Sequence, residues 1–171
     1  MQIQAVNQNI DNNKNSLIVI IRMKGRTNIR HDAEYTLRLF RLYRKYHASI
    51  YPSNFPGLSG MLNKIKNYAT WGEISREMLI ELLKKRGRIV GGEKFTQSIL
   101  SEKLNVKSIE ELADKIINGE IILHEQELIK PVFRLRPPKK GFKRSTRKTF
   151  SEGGELGYRG NEINELLKKM I

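Results

Sequence analysis

Leu17-Ile18-Val19-Ile20-Ile21-Arg22-Met23 is the longest strongly apolar run in a chain of 171 residues. Its β-branched content predicts a strand, and the absence of apolar–polar alternation predicts one that is central and covered on both faces or nearly so. Seven residues, interrupted by Arg22, are too few to span a bilayer or to act as a signal sequence. Downstream, Lys24-Gly25-Arg26-Thr27-Asn28 reads as a turn, and His31-Asp32 opens a helix to about Tyr46 with Asp32 as its cap. On the wheel of that helix Tyr35, Leu37, Leu39, Phe40, Leu42, Tyr43 and Tyr46 fill a wide packing arc. Arg38, Arg41 and Lys45 share the remaining, cationic face.

Ala48 to Ser53 alternates and ends near Pro52, the profile of a short strand towards an edge. Phe55-Pro56-Gly57 then turns the chain into a helix whose Leu58, Met61, Leu62, Ile65 and Tyr68 recur at helical spacing, which leaves Asn63, Lys64, Lys66 and Asn67 outside. Ala69 to Ser75 returns as a third strand. Strand, helix, strand, helix, strand within residues 16–75 predicts an α+β core with two helices on one face of a sheet.

Around this core the chain changes character. Residues 1–15 hold five Asn and three Gln and read as a flexible polar leader. Residues 76–128 read as a small, mostly helical domain: a helix from Arg76 to Arg86 capped by Ser75 and stopped at Gly87, a Gly91-Gly92 turn, a short helix from Thr96 to Leu104, and a capping box at Ser108-Ile109-Glu110-Glu111 that opens a helix to Asn118-Gly119. Ile121-Ile122-Leu123 is a candidate short strand. Residues 129–171 begin with a stretch in which 130–148 carry nine Lys or Arg and no acid. Pro131, Pro137, Pro138 and Gly141 forbid a helix there, and Gly153, Gly154, Gly157 and Gly160 leave few side chains to pack, so an extended basic arm is expected. Phe133, Leu135, Phe142, Phe150 and Tyr158 lie among the cations, the mixture that nucleic acid engages through phosphates and rings. A short helix capped by Asn161, with Ile163, Leu166, Leu167 and Met170 inward, closes the chain.

Thirty-two Lys and Arg against eighteen Asp and Glu give a net charge of +14, which favours a polyanionic partner. The charge is uneven: residues 16–75 carry +7, 76–128 carry −1 and 129–171 carry +8. Two cationic segments therefore flank a neutral one, and they should share a face if they share a ligand. With no Cys, disulfides, thiolate metal sites and cysteine nucleophiles are excluded, and a cytoplasmic protein without a membrane partner is expected.

The chemistry of an enzyme is hard to find. His31, His47 and His124 are scattered, there is no phosphate-binding Gly-rich loop, and the clustered carboxylates Glu110-Glu111 and Glu125/Glu127 suit solvated faces. No metal site, cofactor or small-molecule substrate is implied. The helix pair around Asn105-Val106-Lys107 could form a helix-turn-helix, but its second helix would set Glu110, Glu111 and Asp114 against phosphates. Glycine pairs such as Gly154/Gly157 match the spacing of a KH loop without the preceding helix of that fold.

I-R-M-K-G-R-T-N-I (21–29), F-P-G-L-S-G-M-L-N-K-I-K (55–66) and L-R-P-P-K-K-G-F-K with G-G-E-L-G-Y-R-G (within 135–160) together resemble the large-subunit ribosomal protein L-thirty family, called L-seven in eukaryotes. The chain resembles the archaeal form, because its leader is short and polar where eukaryotic members carry a long basic extension. The resemblance implies a ferredoxin-like β-α-β-α-β core docked on large-subunit rRNA beside neighbouring ribosomal proteins, with a small helical insert domain and an extended basic C-terminal arm. It implies RNA contacts at Lys24, Arg26, Asn28 and Arg30 and at Asn63 and Lys64. Charge and placement extend the expected rRNA-binding set to Arg38, Arg41, Arg134, Arg136, Lys139, Lys140, Phe142, Lys143, Arg144, Arg147, Lys148, Tyr158 and Arg159. The function expected is a structural constituent of the large ribosomal subunit with no catalytic activity. Alternatives are a helix-turn-helix DNA-binding regulator and an RNA-modifying enzyme with a basic substrate arm.

Overall fold

β1 (Leu17–Arg22) has every residue buried and pairs antiparallel on both sides, with β2 (His47–Pro52) through Val19↔Ile50 and with β3 (Ala69–Glu73) through Ile20↔Trp71. The structure is a computed structural model and describes residues 16–96, 101 and 106–171. The polar leader and most of the short helix expected at 96–104 lie outside the described residues. The strands form one mixed, six-stranded sheet in the order β4-β2-β1-β3-β6-β5, in an α+β fold.

The alternation of β1 sends its side chains to two cores. Ile18 and Ile20 face forward to meet Leu37, Phe40, Leu42, Leu58, Leu62, Ile65 and Trp71, under α1 (His31–Leu39) and α2 (Leu58–Ile65). Leu17, Val19 and Ile21 face back against α3 (Arg76–Arg86), α4 (Ile109–Ile117) and α5 (Ile163–Met170). A sheet with helices on one face would leave Val19 and Ile21 in water, so the second face needs a cover. The neutral segment and the terminal helix provide it.

The terminal helix is present as α5, but the reading of residues 130–160 as an extended basic arm is corrected. Val132–Arg134 forms β4, an edge strand antiparallel to β2 with His47↔Arg134 and Ala48↔Phe133 in register. Gly154–Tyr158 forms β6, parallel to β3 through Thr70↔Gly157 and Trp71↔Tyr158, and Ser145–Thr149 forms β5 outside it with an irregular register. Phe133 is fully buried and Leu156 nearly so. The glycines that argued against packing permit it here: a Cβ on Gly154 would lie 2.0 Å from the Lys148 carbonyl oxygen, so β5 and β6 approach each other only because that atom is missing.

Three local expectations also change. The first helix ends at Leu39, not near Tyr46, because Arg41 turns left-handed at φ 59° and the Leu42 N–H closes back on Leu37 O at 2.8 Å. Its N-cap is Arg30, with Asp32 in the first turn. Ile121-Ile122-Leu123 is not a strand: β4 already occupies the place beside β2, and Leu123 packs into the rear core. Ser75 and Ser108 cap α3 and α4 as anticipated, accepting from Met78 N–H and Glu111 N–H.

Candidate nucleic-acid interface

Strand direction brings the basic loops together. β1 ends where β2 and β3 begin, and β4 ends beside the start of β2. The turn at 23–30, the loop at 40–46, the C-terminal end of α2 and the chain leaving β4 therefore gather at one end of the sheet. Backbone bonds tie them: Tyr46 N–H donates to Arg22 O at 2.8 Å, Leu135 N–H to Tyr46 O at 3.0 Å, and Met23 N–H to Tyr68 O at 2.8 Å.

β4 and β5 are the two outermost strands, so residues 135–144 must run the width of the sheet, roughly 24 Å for five strand spacings. Arg136 N–H donates to Met170 O at 2.9 Å and Lys139 N–H to Lys169 O at 3.0 Å, which lashes this loop to the last turn of α5. Phe142 rests 6.3 Å from the Tyr46 ring. The loop thus has a fixed path and holds Arg136, Lys139, Lys140, Lys143 and Arg144 exposed.

At the end of β1 lies Arg22, fully buried although it carries a charge. Its guanidinium donates to Leu42 O at 2.8 Å, to Lys24 O and Gly25 O at 2.9 Å, and to the Glu34 carboxylate at 2.7 Å. Such saturation is what a buried charge requires. One side chain thereby fixes the 23–30 turn, the start of α1 and the 40–46 loop relative to one another. Arg26 Nε adds a bond to Tyr43 O at 3.1 Å.

Left-handed backbone at residues other than glycine occurs among the described residues at Asn28, Arg41, Tyr46 and Lys140. Asn28, Tyr46 and Lys140 lie in loops at this end, and Arg41 in the turn that ends α1. Such conformations are sparsely populated and persist where surrounding contacts impose them, a pattern that marks preorganised sites. The electrostatics agree. His47 is held below the usual imidazole range first by burial and then by the positive charges of Arg134, Arg44 and Arg22.

The residues expected from sequence divide into three groups. Lys24, Arg26, Asn28, Arg30, Arg134, Arg136, Lys139, Lys140, Phe142, Lys143 and Arg144 are at this end of the sheet, with Asn63 and Lys64 on the exposed side of α2 near its C-terminus. Arg38, on the outer face of α1, Arg41, in the turn that ends α1 with its charge felt at Tyr51 and His124, and Arg147 and Lys148, along β5, are exposed away from it. Tyr158 and Arg159 are turned to internal use: the Tyr158 hydroxyl donates to Glu73 at 2.7 Å, and burial with that carboxylate pushes its ionisation far above the usual phenol range. Arg159 is buried, donating to Glu155 at 2.5 Å and to Thr70 Oγ1 at 3.0 Å. Phe150 is likewise engaged, with the Arg144 and Arg159 guanidiniums 4.6 and 5.0 Å from its ring.

Arg44, Lys45 and Lys66 are exposed at the same end and were absent from the expected set. Their adjacency to the starts of β2 and β3 was the available signal. Among the described residues no group of His, Cys, Asp and Glu could hold a metal ion, and no helix is long and apolar enough to cross a membrane.

Residues 18–69 match the family described as ribosomal protein L30p/L7e. The chain is 52% identical over 163 residues to the large ribosomal subunit protein uL30 of Hyperthermus butylicus, covering 91% of this chain and 90% of that protein. Identity is also 52% over 159 residues to uL30 of Staphylothermus marinus, and 48% over 157 residues to uL30 of Nanoarchaeum equitans, with 91% of this chain covered and 98% and 99% of theirs. These similarities run through both cationic segments and the neutral segment between them. The chain belongs to the ribosomal protein L30p/L7e family.

Proposed function

We propose that this protein is a structural, non-catalytic constituent of the large ribosomal subunit that holds large-subunit rRNA against the basic end of its sheet. One observation carries the reading: exposed cations from two segments far apart in sequence converge in loops whose backbones are fixed by Arg22 and by α5. Phosphates meeting such loops release condensed counterions without requiring the protein to order itself first. The contacts fall to Lys24, Arg26, Asn28, Arg30, Asn63, Lys64, Arg134, Arg136, Lys139, Lys140, Lys143 and Arg144, with Arg38, Arg41, Arg147 and Lys148 flanking. Phe142 positions the loop. Arg159 and Tyr158 support β6 from within.

The ferredoxin-like description suits β1 to β3 with α1 and α2, and the neutral rear layer of α3 and α4 is the surface suited to neighbouring ribosomal proteins. A duplex-DNA reading gains nothing, since Asp114 and Glu110 of α4 pair with Arg76 at 2.6 Å and Lys84 at 3.2 Å. Sedimentation of large subunits from cells carrying the tagged chain provides the test. One copy per large subunit, retained through a salt wash, is expected, and recovery only in the unbound fraction would contradict the proposal.

A further inference from the structure

Tyr35 and Leu39 lie one turn apart on α1, a spacing that a helix ordinarily packs away, and Tyr43 follows in the loop after it, yet the three are 60%, 50% and 44% exposed. α1 packs inward through Ala33, Thr36 and Leu37 instead, and the left-handed Arg41 lets Phe40 and Leu42 turn under while Tyr43 stays out. Among the described residues these two tyrosines are the exposed phenyl or indole side chains. The rings of the C-terminal segment that the sequence suggested for stacking on nucleic acid are engaged within the protein.

The surroundings of these three side chains are cationic. Arg30 and Arg38 side chains are 78% and 62% exposed, and Arg41 and Arg44 are exposed beside Tyr43. The acids of α1 are already paired, Asp32 with Arg30 at 2.9 Å and Glu34 with Arg22 at 2.7 Å and Arg38 at 3.7 Å. An apolar, aromatic strip edged by arginines complements a ligand that offers both phosphates and flat ring faces. A continuous A-form duplex hides its base faces inside the stack, whereas loops and bulges present them.

We propose that Tyr35, Leu39 and Tyr43 form a stacking platform for unpaired RNA bases, with Arg38 and Arg41 on the adjoining phosphates. The proposal rests on the RNA-binding reading above and adds the kind of RNA this face takes: single-stranded, unstacked nucleotides.

The full chain is titrated at fixed salt against an oligoadenylate and against a blunt RNA duplex of equal length. Tyr35→Leu with Tyr43→Leu keeps an apolar surface but removes the rings. It should weaken oligoadenylate binding roughly ten-fold or more, the scale of one or two lost stacking contacts, and leave duplex binding within about two-fold. Tyr35→Phe with Tyr43→Phe should bind both probes like the original chain. Equal losses for both probes, no loss for either, or failure of the Phe pair to retain binding would overturn the platform while leaving the RNA-binding reading standing. Absence of salt-dependent binding of the original chain to either probe would overturn both. A benzoylphenylalanine crosslinker at position 35 in assembled large subunits should capture rRNA, and capture of a protein instead would overturn the platform as well.

Discussion

The Arg22 guanidinium is fully buried and meets the Glu34 carboxylate at 2.7 Å, joining the last residue of β1 to the first turn and a half of α1. Because Arg22 also serves the carbonyls of Lys24, Gly25 and Leu42, the pair sits at the junction of the 23–30 turn and the 40–46 loop. Arg22→Met keeps much of the apolar stem but strands the carboxylate and three carbonyls. A loss of about 3–5 kcal/mol of stability is expected, reduced where Glu34 can reach water. Chemical denaturation measures it, and a loss below about 1 kcal/mol would contradict the organising role given to Arg22.

Arg159 should behave unlike the exposed arginines. Its contacts to Glu155 and Thr70 lie inside the β3–β6 pairing. Arg159→Met should lower the midpoint of unfolding, while the salt dependence of rRNA binding, read on the fraction that remains folded, stays as it was. A drop in the salt slope by about one unit would instead assign this residue to a phosphate.

Protonation of His47 and His124 should couple to stability. Burial lowers the affinity of His47 for a proton, and Arg134, Arg44 and Arg22 lower it further. For His124 burial dominates, against an upward pull from Glu125, with Arg41 adding to the lowering. In both cases the folded state binds its proton at a lower pH than the unfolded chain. The unfolded chain therefore holds more protons as pH falls through the ordinary imidazole value of 6.5. Stability should fall over that window and level off below the folded-state values. His47→Asn should flatten the profile, and a stability that rises on acidification would show the opposite sign.

Proteolysis should separate the folded parts of the C-terminal segment from its exposed loop. Trypsin acting on the free protein should cut first between Lys139 and Lys148, where the side chains are exposed, and spare Arg134 in β4 and the buried Arg159. Early cleavage at Arg134 or Arg159 would mean that β4 and β6 do not hold without RNA.

What the sequence revealed followed the range of the interactions. The strand at Leu17–Arg22, the helix of Leu58, Leu62 and Ile65, and the serine caps of α3 and α4 rest on periodicity and adjacent residues, and they were legible. β4 and β6 were not, because Phe133 and Leu156 gain their burial from strands about 85 residues away in sequence, and three-residue or glycine-rich strands carry no periodic signal of their own. Arg22 looked like an interruption in an apolar run; nothing near it in sequence announces that Glu34 and Leu42 will close around it. The cationic set was legible as charge. Which cations face outward depended on pairings such as that of Arg159 with Glu155, which composition cannot rank. A helix continued past Leu39 would turn Tyr35 and Tyr43 inward; α1 packs through Ala33, Thr36 and Leu37 instead, which leaves Tyr35 out, and the left-handed Arg41 takes Tyr43 off the helix.

The central claim is that two segments, one on either side of the neutral rear layer, form one surface for one polyanion. Its most direct test is the slope of log K against log salt for a large-subunit rRNA fragment with Lys24→Ala/Arg26→Ala, with Lys140→Ala/Lys143→Ala, and with all four replacements. Each pair should reduce the magnitude of the slope by up to about two units, and the combination by the sum of the two effects. A slope that responds to one pair and ignores the other would contradict the shared surface.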